Sequence, residues 1–310
     1  MNSKTIRADL QPFIGLLLVL AAAFAFSTKA VIIKIAYGYG AYISPIMLMS
    51  LRMLMSLPFF LLAIFILERN NNHAPLSRRD IAHLFGLGVV GFYLAAYLDF
   101  LGLSYISASL ERLILLLYPT LVVLLSALFL GRAITGKEIV ALVVSYLGII
   151  IVFAEELTLA DANVALGSAL IFGSATAFAI YLTGSGMMVK RLGATRFTAY
   201  AMTIACLATL IHFGLDFDTE IISLPVEVYG LALLMAVVAT VVPAFLMNAG
   251  IQRIGASPAA IISATGPIMT LFLAYFFLSE QLTPVQIAGA ALVMVGVFVV
   301  SNSLKNKQGH

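Results

Sequence analysis

Long apolar segments separated by short polar ones run along the whole chain. A helix needs about 20 apolar residues to cross the hydrocarbon core of a bilayer. The segments are helix-length, rich in Leu, Ala and Gly, and far too long for barrel strands, so they predict an all-α integral membrane protein. By this measure we predict ten transmembrane helices, at 11–36, 42–67, 81–103, 107–130, 136–154, 164–188, 197–215, 227–251, 255–279 and 284–303.

The composition supports this class. Of the 310 residues, 62% are hydrophobic and 10% are charged, and the mean hydropathy is +1.09. Soluble domains carry about 25% charged residues, and no water-soluble fold of this size could bury so much apolar surface. The first apolar segment begins near Gln11 and is too long for a signal-peptide core, so we expect it to be retained as the first span.

Lysine and arginine are distributed unevenly between the two sets of loops. If the N-terminus is cytoplasmic, thirteen of them fall in inner segments and none in outer loops, which carry acids instead. Positive charge marks the cytoplasmic side, so we predict a multi-pass protein of a bacterial inner membrane with both termini in the cytoplasm. The inner basic residues are Lys4, Arg7, Arg69, Arg78, Arg79, Arg132, Lys137, Lys190, Arg191, Arg196, Arg253, Lys305 and Lys307.

The chain contains an internal repeat. Residues 105–154 align without a gap with 253–302, at a constant offset of 148. Five spans separate the copies, and because five is odd, the second copy enters the membrane inverted. We therefore predict two inverted five-helix repeats, 1–155 and 156–310, an arrangement typical of secondary transporters. The aligned identities include Ala108/Ala256, Ser109/Ser257, Pro119/Pro267, Phe129/Phe277, Thr135/Thr283 and Gly148/Gly296.

These repeats resemble a known family. The segments ISAS…P…FLGR…T…G and IGASPA…GP…FFLSEQLTP…G are similar to those of the EamA branch of the drug/metabolite transporter superfamily. The resemblance covers nearly the whole chain. It implies export or exchange of amino acids, metabolites or drugs through a central cavity. The chain departs from the family at one position, because Arg132 stands where the first copy would carry an acid, whereas the second copy keeps Glu280.

Six ionisable residues lie within the predicted spans, all in the first half of the chain. A structural interpretation is that opposite charges neutralise one another and lock helices together. The alternative is that some of them line a water-filled cavity and bind substrate, as intramembrane charges often do. We expect Lys34 to reach water at the span end. The remaining five carry one surplus positive charge, which suits a carboxylate, and an arginine grips a carboxylate with two hydrogen bonds. The six are Lys29, Lys34, Arg52, Asp99, Glu111 and Arg112.

Glu111 and Arg112 are neighbours inside an apolar segment. Adjacent helical residues point about 100° apart, so we expect the two side chains to serve different neighbours. Asp99 and Arg112 flank a short turn near 104–106 and could face each other across it. A desolvated Glu111 is a candidate for proton exchange, which would couple transport to a proton gradient.

Aromatic residues complete the candidate substrate-binding set. Tyr97, Tyr118 and Tyr181 could line the same cavity, although packing between helices is the alternative for each. The full predicted set is Lys29, Arg52, Tyr97, Asp99, Glu111, Arg112, Tyr118 and Tyr181.

Other classes of function find little support in the sequence. There is one cysteine, and the four histidines have no metal-ligand spacing, so we expect no metal, no cofactor and no catalytic residue. GRAITGKE at 131–138 lacks the Ser or Thr that ends a phosphate-binding loop. We expect a small-molecule substrate and the lipid bilayer as partners and no nucleic acid, and we leave a homodimer open. The alternatives are efflux of lipophilic cationic drugs, a receptor or scaffold without transport, and a membrane-embedded enzyme.

Overall fold

The described part of the chain is built from helices and the turns that join them. The computed structural model describes residues 3–69, 75–115, 117–130, 163–215, 218–254, 266–280 and 283–292, with isolated positions between 136 and 151 and at 262, 294 and 295. The all-α membrane class predicted from the apolar segments is confirmed. The first half contains α1 (Ser3–Tyr37), α2 (Pro45–Arg69), α3 (Arg78–Gly88), α4 (Ala95–Leu103), α5 (Ala108–Leu115) and α6 (Tyr118–Leu130). The second half contains α7 (Val164–Leu192), α8 (Ala194–Leu215), α9 (Val226–Ala236), α10 (Val242–Ile254) and α11 (Gly266–Leu278).

Six helical stretches in the described residues are long and apolar enough to cross a membrane. They correspond to the predicted spans 1, 2, 3, 6, 7 and 8. The predicted spans 136–154 and 284–303 lie mostly outside the described residues, and 255–279 is described continuously only from Gly266. The total of ten stays a prediction. The six stretches are Phe13–Tyr37, Pro45–Arg69, Arg78–Leu103, Val164–Ser185, Ala194–Leu215 and Val226–Met247.

Two of these spans contain a π-helical turn. One, Val89–Leu94, joins α3 to α4, and the other, Val237–Val241, joins α9 to α10. Their first residues are 148 positions apart, since 237 minus 89 is 148, which is the offset of the sequence repeat. A π-turn widens the helix and is often found at functional sites. Thr240 donates its hydroxyl to the Met235 carbonyl at 2.9 Å, which satisfies an acceptor in the widened turn.

The predicted span 107–130 is not one continuous helix. It is described as α5 and α6, with Leu117 in a turn between them whose N–H donates to the Ile114 carbonyl at 3.0 Å. Pro119 is the second residue of α6. Proline lacks an N–H and its ring clashes with the preceding helical turn, so a new helix begins here. Helix α5 spans eight residues, and its N-terminus follows the turn after α4.

Many helix pairs join the two halves, including the following four. Helix α1 lies on α10, α4 on α7, α2 on α8, and α5 on α11. Glycines bring the first two pairs close together, as is common between transmembrane helices. A Cβ at Gly102 would lie 2.5 Å from Ile171 Cδ1, and one at Gly250 would lie 2.4 Å from Val19 Cγ2. Gly102 and Gly250 occupy equivalent positions in the sequence repeat.

Polar contacts join the halves at the end where α2 finishes and α8 begins. Glu68 accepts hydrogen bonds from Arg196 Nε at 2.7 Å and Nη2 at 3.1 Å, and from the Tyr200 hydroxyl at 3.1 Å. At the same end, Arg191 Nη2 lies 2.8 Å from Asp80 Oδ2 and ties α7 to α3. Two-pronged arginine–carboxylate contacts are geometrically specific, so they fix the register of these helix ends.

Candidate functional site

Lys29 and Asp99 form the closest ion pair within the membrane-spanning helices described. Lys29 lies on α1 and Asp99 on α4, and the ammonium donates to Asp99 Oδ2 at 2.6 Å. The Asp99 side chain is 2% exposed and that of Lys29 is 18% exposed. A buried charge is tolerated when an opposite charge is in contact, and this pair supplies that contact between two helices far apart in sequence.

Glu111 and Arg112 join this pair from α5. Glu111 is fully buried, and its Oε1 lies 3.6 Å from Lys29 Nζ. Arg112 Nε lies 3.7 Å from Glu111 Oε2, and Arg112 Nη2 donates to the Phe26 carbonyl on α1 at 3.3 Å. The two side chains therefore reach different neighbours, as predicted, and they also lie within ion-pair distance of each other. Lys29, Asp99, Glu111 and Arg112 are called the charge cluster below.

The partner of Asp99 differs from the one suggested by the sequence. The turn near 104–106 suggested Arg112, but the carboxylate of Asp99 contacts Lys29. The reason is that α1 packs beside both α4 and α5, which places Lys29 between the two acids. Lys34, five residues further along α1, donates to the Leu103 and Ile106 carbonyls at 3.2 and 3.0 Å, so it caps the end of α4 rather than only reaching water.

Arg52 approaches the cluster from α2. Its side chain is buried, and its guanidinium lies 4.8 Å from the centre of the Phe100 ring, next to Asp99 in the chain. A guanidinium over an aromatic face gains a cation–π attraction, which offsets part of the cost of its burial. Arg52 therefore brings a third positive charge close to Asp99.

Among the described residues, most of the buried side-chain polar atoms without a hydrogen bond belong to the charge cluster and to Arg52. Seven buried side-chain polar atoms of the described residues make no hydrogen bond, and five of them are Arg52 Nε, Asp99 Oδ1, Glu111 Oε1, Glu111 Oε2 and Arg112 Nε. Such groups are rare in proteins, because each costs free energy until it finds a partner. Their concentration at one place is what a site for a polar ligand, a proton or water requires.

The three predicted tyrosines lie in different surroundings. Tyr97 is stacked on Tyr93 and meets the edge of His212 on α8, with ring centres 5.0 Å apart. Tyr118 meets the Phe178 ring edge-on. Tyr181 is buried in an aromatic group with Phe92, Phe178 and Phe197. The structure therefore brings Lys29, Asp99, Glu111 and Arg112 together and shows Tyr118 and Tyr181 in packing contacts.

Two polar contacts beside the cluster were not predicted. Ser27 donates its hydroxyl to the Gly266 carbonyl at 2.8 Å, which links α1 to the start of α11. The Tyr93 hydroxyl lies 2.9 Å from His212 Nδ1, which links the π-turn to α8. Neither contact has a signal in the sequence, because each joins residues more than a hundred positions apart. Within the described residues, no three His, Cys, Asp or Glu side chains are placed to share a metal ion.

Comparison with known proteins decides the family. Residues 13–154 and 165–302 match the EamA-like transporter family. The chain belongs to this family. The resemblance seen in the repeated segments is thereby confirmed, and the EamA-like protein is a multi-pass membrane transporter by family.

Individual relatives agree with this assignment. A Bacillus subtilis protein named uncharacterized transporter YcbK is 33% identical over 299 residues, covering 95% of this chain and 93% of its own. A Pseudomonas aeruginosa protein named pseudopaline exporter CntI is 26% identical over 296 residues, covering 94% of this chain and 97% of its own. A solved crystal structure shares the fold with a TM-score of 0.62 at 14% identity, covering 92% of this chain and 95% of its own.

Proposed function

We propose that this EamA-like protein is a secondary transporter of a bacterial inner membrane that exports or exchanges a small metabolite bearing a carboxylate, such as an amino acid. The charge cluster, with Arg52 beside it, is the proposed substrate site. Lys29, Arg52 and Arg112 would contact the carboxylate, while Asp99 and Glu111 orient these cations or accept a coupling proton.

The exposure of the cluster is the observation that carries this proposal. The Lys29 and Arg112 side chains are 18% and 15% exposed, whereas those of Asp99 and Glu111 are 2% and 0% exposed. A ligand that reaches the cluster therefore meets an ammonium and a guanidinium before it meets either carboxylate. Arginine binds carboxylates through two parallel hydrogen bonds, so this accessible surface favours an anionic group.

The charge balance points to the same ligand. Lys29 and Arg112 balance Asp99 and Glu111, and Arg52 adds a positive charge near Asp99 that stands over Phe100. A bound carboxylate would neutralise this surplus and give hydrogen-bond partners to Arg112 Nε and Arg52 Nε, which have none among the described residues. Export as the direction is supported by the relative named a pseudopaline exporter.

The test is counterflow in proteoliposomes across a panel of amino acids, organic acids and cationic dyes. Wild type would be compared with Arg112→Gln and with Arg253→Gln. Arg253 is an exposed arginine at the end of α10 that donates to the Ala249 carbonyl of its own helix, so it is a matched control for loss of one arginine. We expect a carboxylate to exchange in wild type and in Arg253→Gln, and to exchange roughly tenfold to a hundredfold more slowly in Arg112→Gln, the loss expected for a hydrogen bond to a charged group.

Thermal stability and monodispersity in detergent would show that both variants fold. Unchanged exchange in a folded Arg112→Gln would remove Arg112 from the site. Movement of cationic dyes alone would replace the proposal with the efflux of lipophilic cations.

A further inference from the structure

Glu280 accepts three hydrogen bonds from the first turn of α5. Its Oε1 accepts from the Ala108 N–H at 3.0 Å, and its Oε2 accepts from the Ser109 N–H at 3.2 Å and from the Ser109 hydroxyl at 2.5 Å. The Leu110 N–H is bound by the Ser107 hydroxyl at 3.1 Å. The N–H groups at a helix start have no partner within the helix and attract negative charge. Glu280 therefore supplies much of the N-terminal cap of α5.

This cap comes from the other half of the chain. Glu280 is 172 residues from Ala108 and follows the end of α11. Ser279, directly after α11, has φ 55°, and the Glu280 N–H donates back to the Ala274 carbonyl at 3.3 Å. A left-handed residue directly after a helix reverses the chain, as at many helix ends. A serine in this conformation is strained, and here the turn aims Glu280 at α5.

Helix α5 also carries two members of the charge cluster. Glu111 follows Ala108 by three residues, which places it about 4.5 Å further along the helix axis. The Glu111 N–H donates to the Ser107 carbonyl at 3.1 Å, so the capped turn and the turn that bears Glu111 are continuous. A displacement of α11 that withdraws Glu280 would therefore release the helix that positions Glu111 and Arg112.

The residue that makes this contact is not repeated at the equivalent position of the first copy. The repeat partner of Glu280 is Arg132, at the offset of 148. The repeat partners of Ala108 and Ser109 are Ala256 and Ser257, which lie outside the described residues. A guanidinium has no acceptor, so Arg132 cannot cap a helix N-terminus in the way that Glu280 does. The inverted repeats thus differ at the one residue that makes the contact.

We propose that Glu280 is a positioning residue of the transport site. While Glu280 caps α5, the charge cluster is closed at the end of the molecule where α4 meets α5. When the cap is released, the site opens at that end. This role of Glu280 rests on the proposed transport function. Its test measures accessibility and not transport, so the two can fail separately.

Accessibility of a single engineered cysteine provides that test. Cys206 is buried and would be replaced by alanine, and Ala274→Cys would place a thiol at a fully buried position on α11 below Glu280. The full-length protein would be held in lipid nanodiscs, which leave both faces open to a membrane-impermeant thiol reagent. We expect Glu280→Gln to raise the labelling rate about tenfold and Ser109→Ala about threefold, in proportion to the hydrogen bonds weakened.

Glu227→Gln is the matched control, because Glu227 is an exposed acid in the first turn of α9. It should leave the labelling rate unchanged. The proposal is overturned if a folded Glu280→Gln labels no faster, if Glu227→Gln labels equally fast, or if faster labelling accompanies a general loss of thermal stability. Should Glu280→Gln fail to fold, an unchanged rate in Ser109→Ala would overturn it as well.

Discussion

At the residue scale, the central feature is Lys29 between two acids. Its ammonium lies 2.6 Å from Asp99 and 3.6 Å from Glu111, which explains how two carboxylates persist at depth in an apolar segment. Removing one member of a buried ion pair typically costs about 3–5 kcal/mol, because the other charge is left without a partner. Glu111 has the weaker contacts, since both of its oxygens lie beyond hydrogen-bond distance of the two cations.

Glu111→Gln is expected to remove a component of the pH dependence of transport. Glutamine keeps the size of the side chain and cannot exchange a proton, whereas the proposed role of the buried Glu111 is to take up a proton and so release Lys29 and Arg112 to the substrate. The measurement is the counterflow rate against pH for wild type, Glu111→Gln and the control Glu227→Gln. A flat profile for wild type and Glu111→Gln alike would exclude Glu111 as a coupling acid.

At the element scale, the helices are shaped by small residues and by interruptions of regular α-helix. The π-turns Val89–Leu94 and Val237–Val241 occupy equivalent places in the two repeats. Gly102 and Gly250 bring α4 and α10 against helices of the other half. Together, these features set how closely the halves meet around the charge cluster, because Asp99 lies on α4 only three residues before Gly102.

Gly102→Val is expected to destabilise the protein by about 1–3 kcal/mol, the usual cost of overpacking. The added Cβ alone would lie 2.5 Å from Ile171 Cδ1 and 3.1 Å from the Gly167 carbonyl oxygen. Gly86→Val is the control, because a Cβ at Gly86, on α3 in the same predicted span, would have no neighbour within 4 Å. Thermal unfolding in detergent would compare them, and equal midpoints would contradict the close approach of α4 and α7.

At the scale of the whole molecule, the halves are tied at both ends. Glu280 joins α11 to α5 at one end, and Glu68 with Arg196 joins α2 to α8 at the other. The charge cluster lies between these two sets of contacts, close to the first. A transporter that exposes one site to either side needs contacts at each end that can break in turn.

The two ends are expected to face opposite sides of the membrane. In the Cys206→Ala background, Ser223→Cys lies in the loop before α9 and Arg79→Cys lies near the start of α3, and both positions are exposed. In intact cells, an impermeant thiol reagent should label Ser223→Cys, while Arg79→Cys should react only after the cells are opened. The reverse pattern would show that the basic loops do not mark the cytoplasmic side of this protein.

The class, the family and the candidate charges could all be predicted from the amino-acid sequence. Apolar segments of span length and the repeated motifs predict an all-α membrane protein of the EamA-like family, because bilayer thickness and backbone hydrogen bonding leave few other solutions. The same reasoning identified Lys29, Asp99, Glu111 and Arg112, because ionisable residues are rare within spans. The prediction of ten spans in two inverted repeats remains a sequence prediction for the parts that the structure does not describe.

Which of these residues contact one another could not be predicted and became known from the packing of the helices. The partner of Asp99 is Lys29, from a helix 70 positions away, and the cap of α5 is Glu280, from the other half of the chain. Apolar periodicity says little about these pairings, because helices that are apolar on all sides do not reveal which face meets which neighbour. Side-chain contacts between distant helices depend on how the helices cross, and close approach at glycines such as Gly102 and Gly250 fixes that geometry after folding.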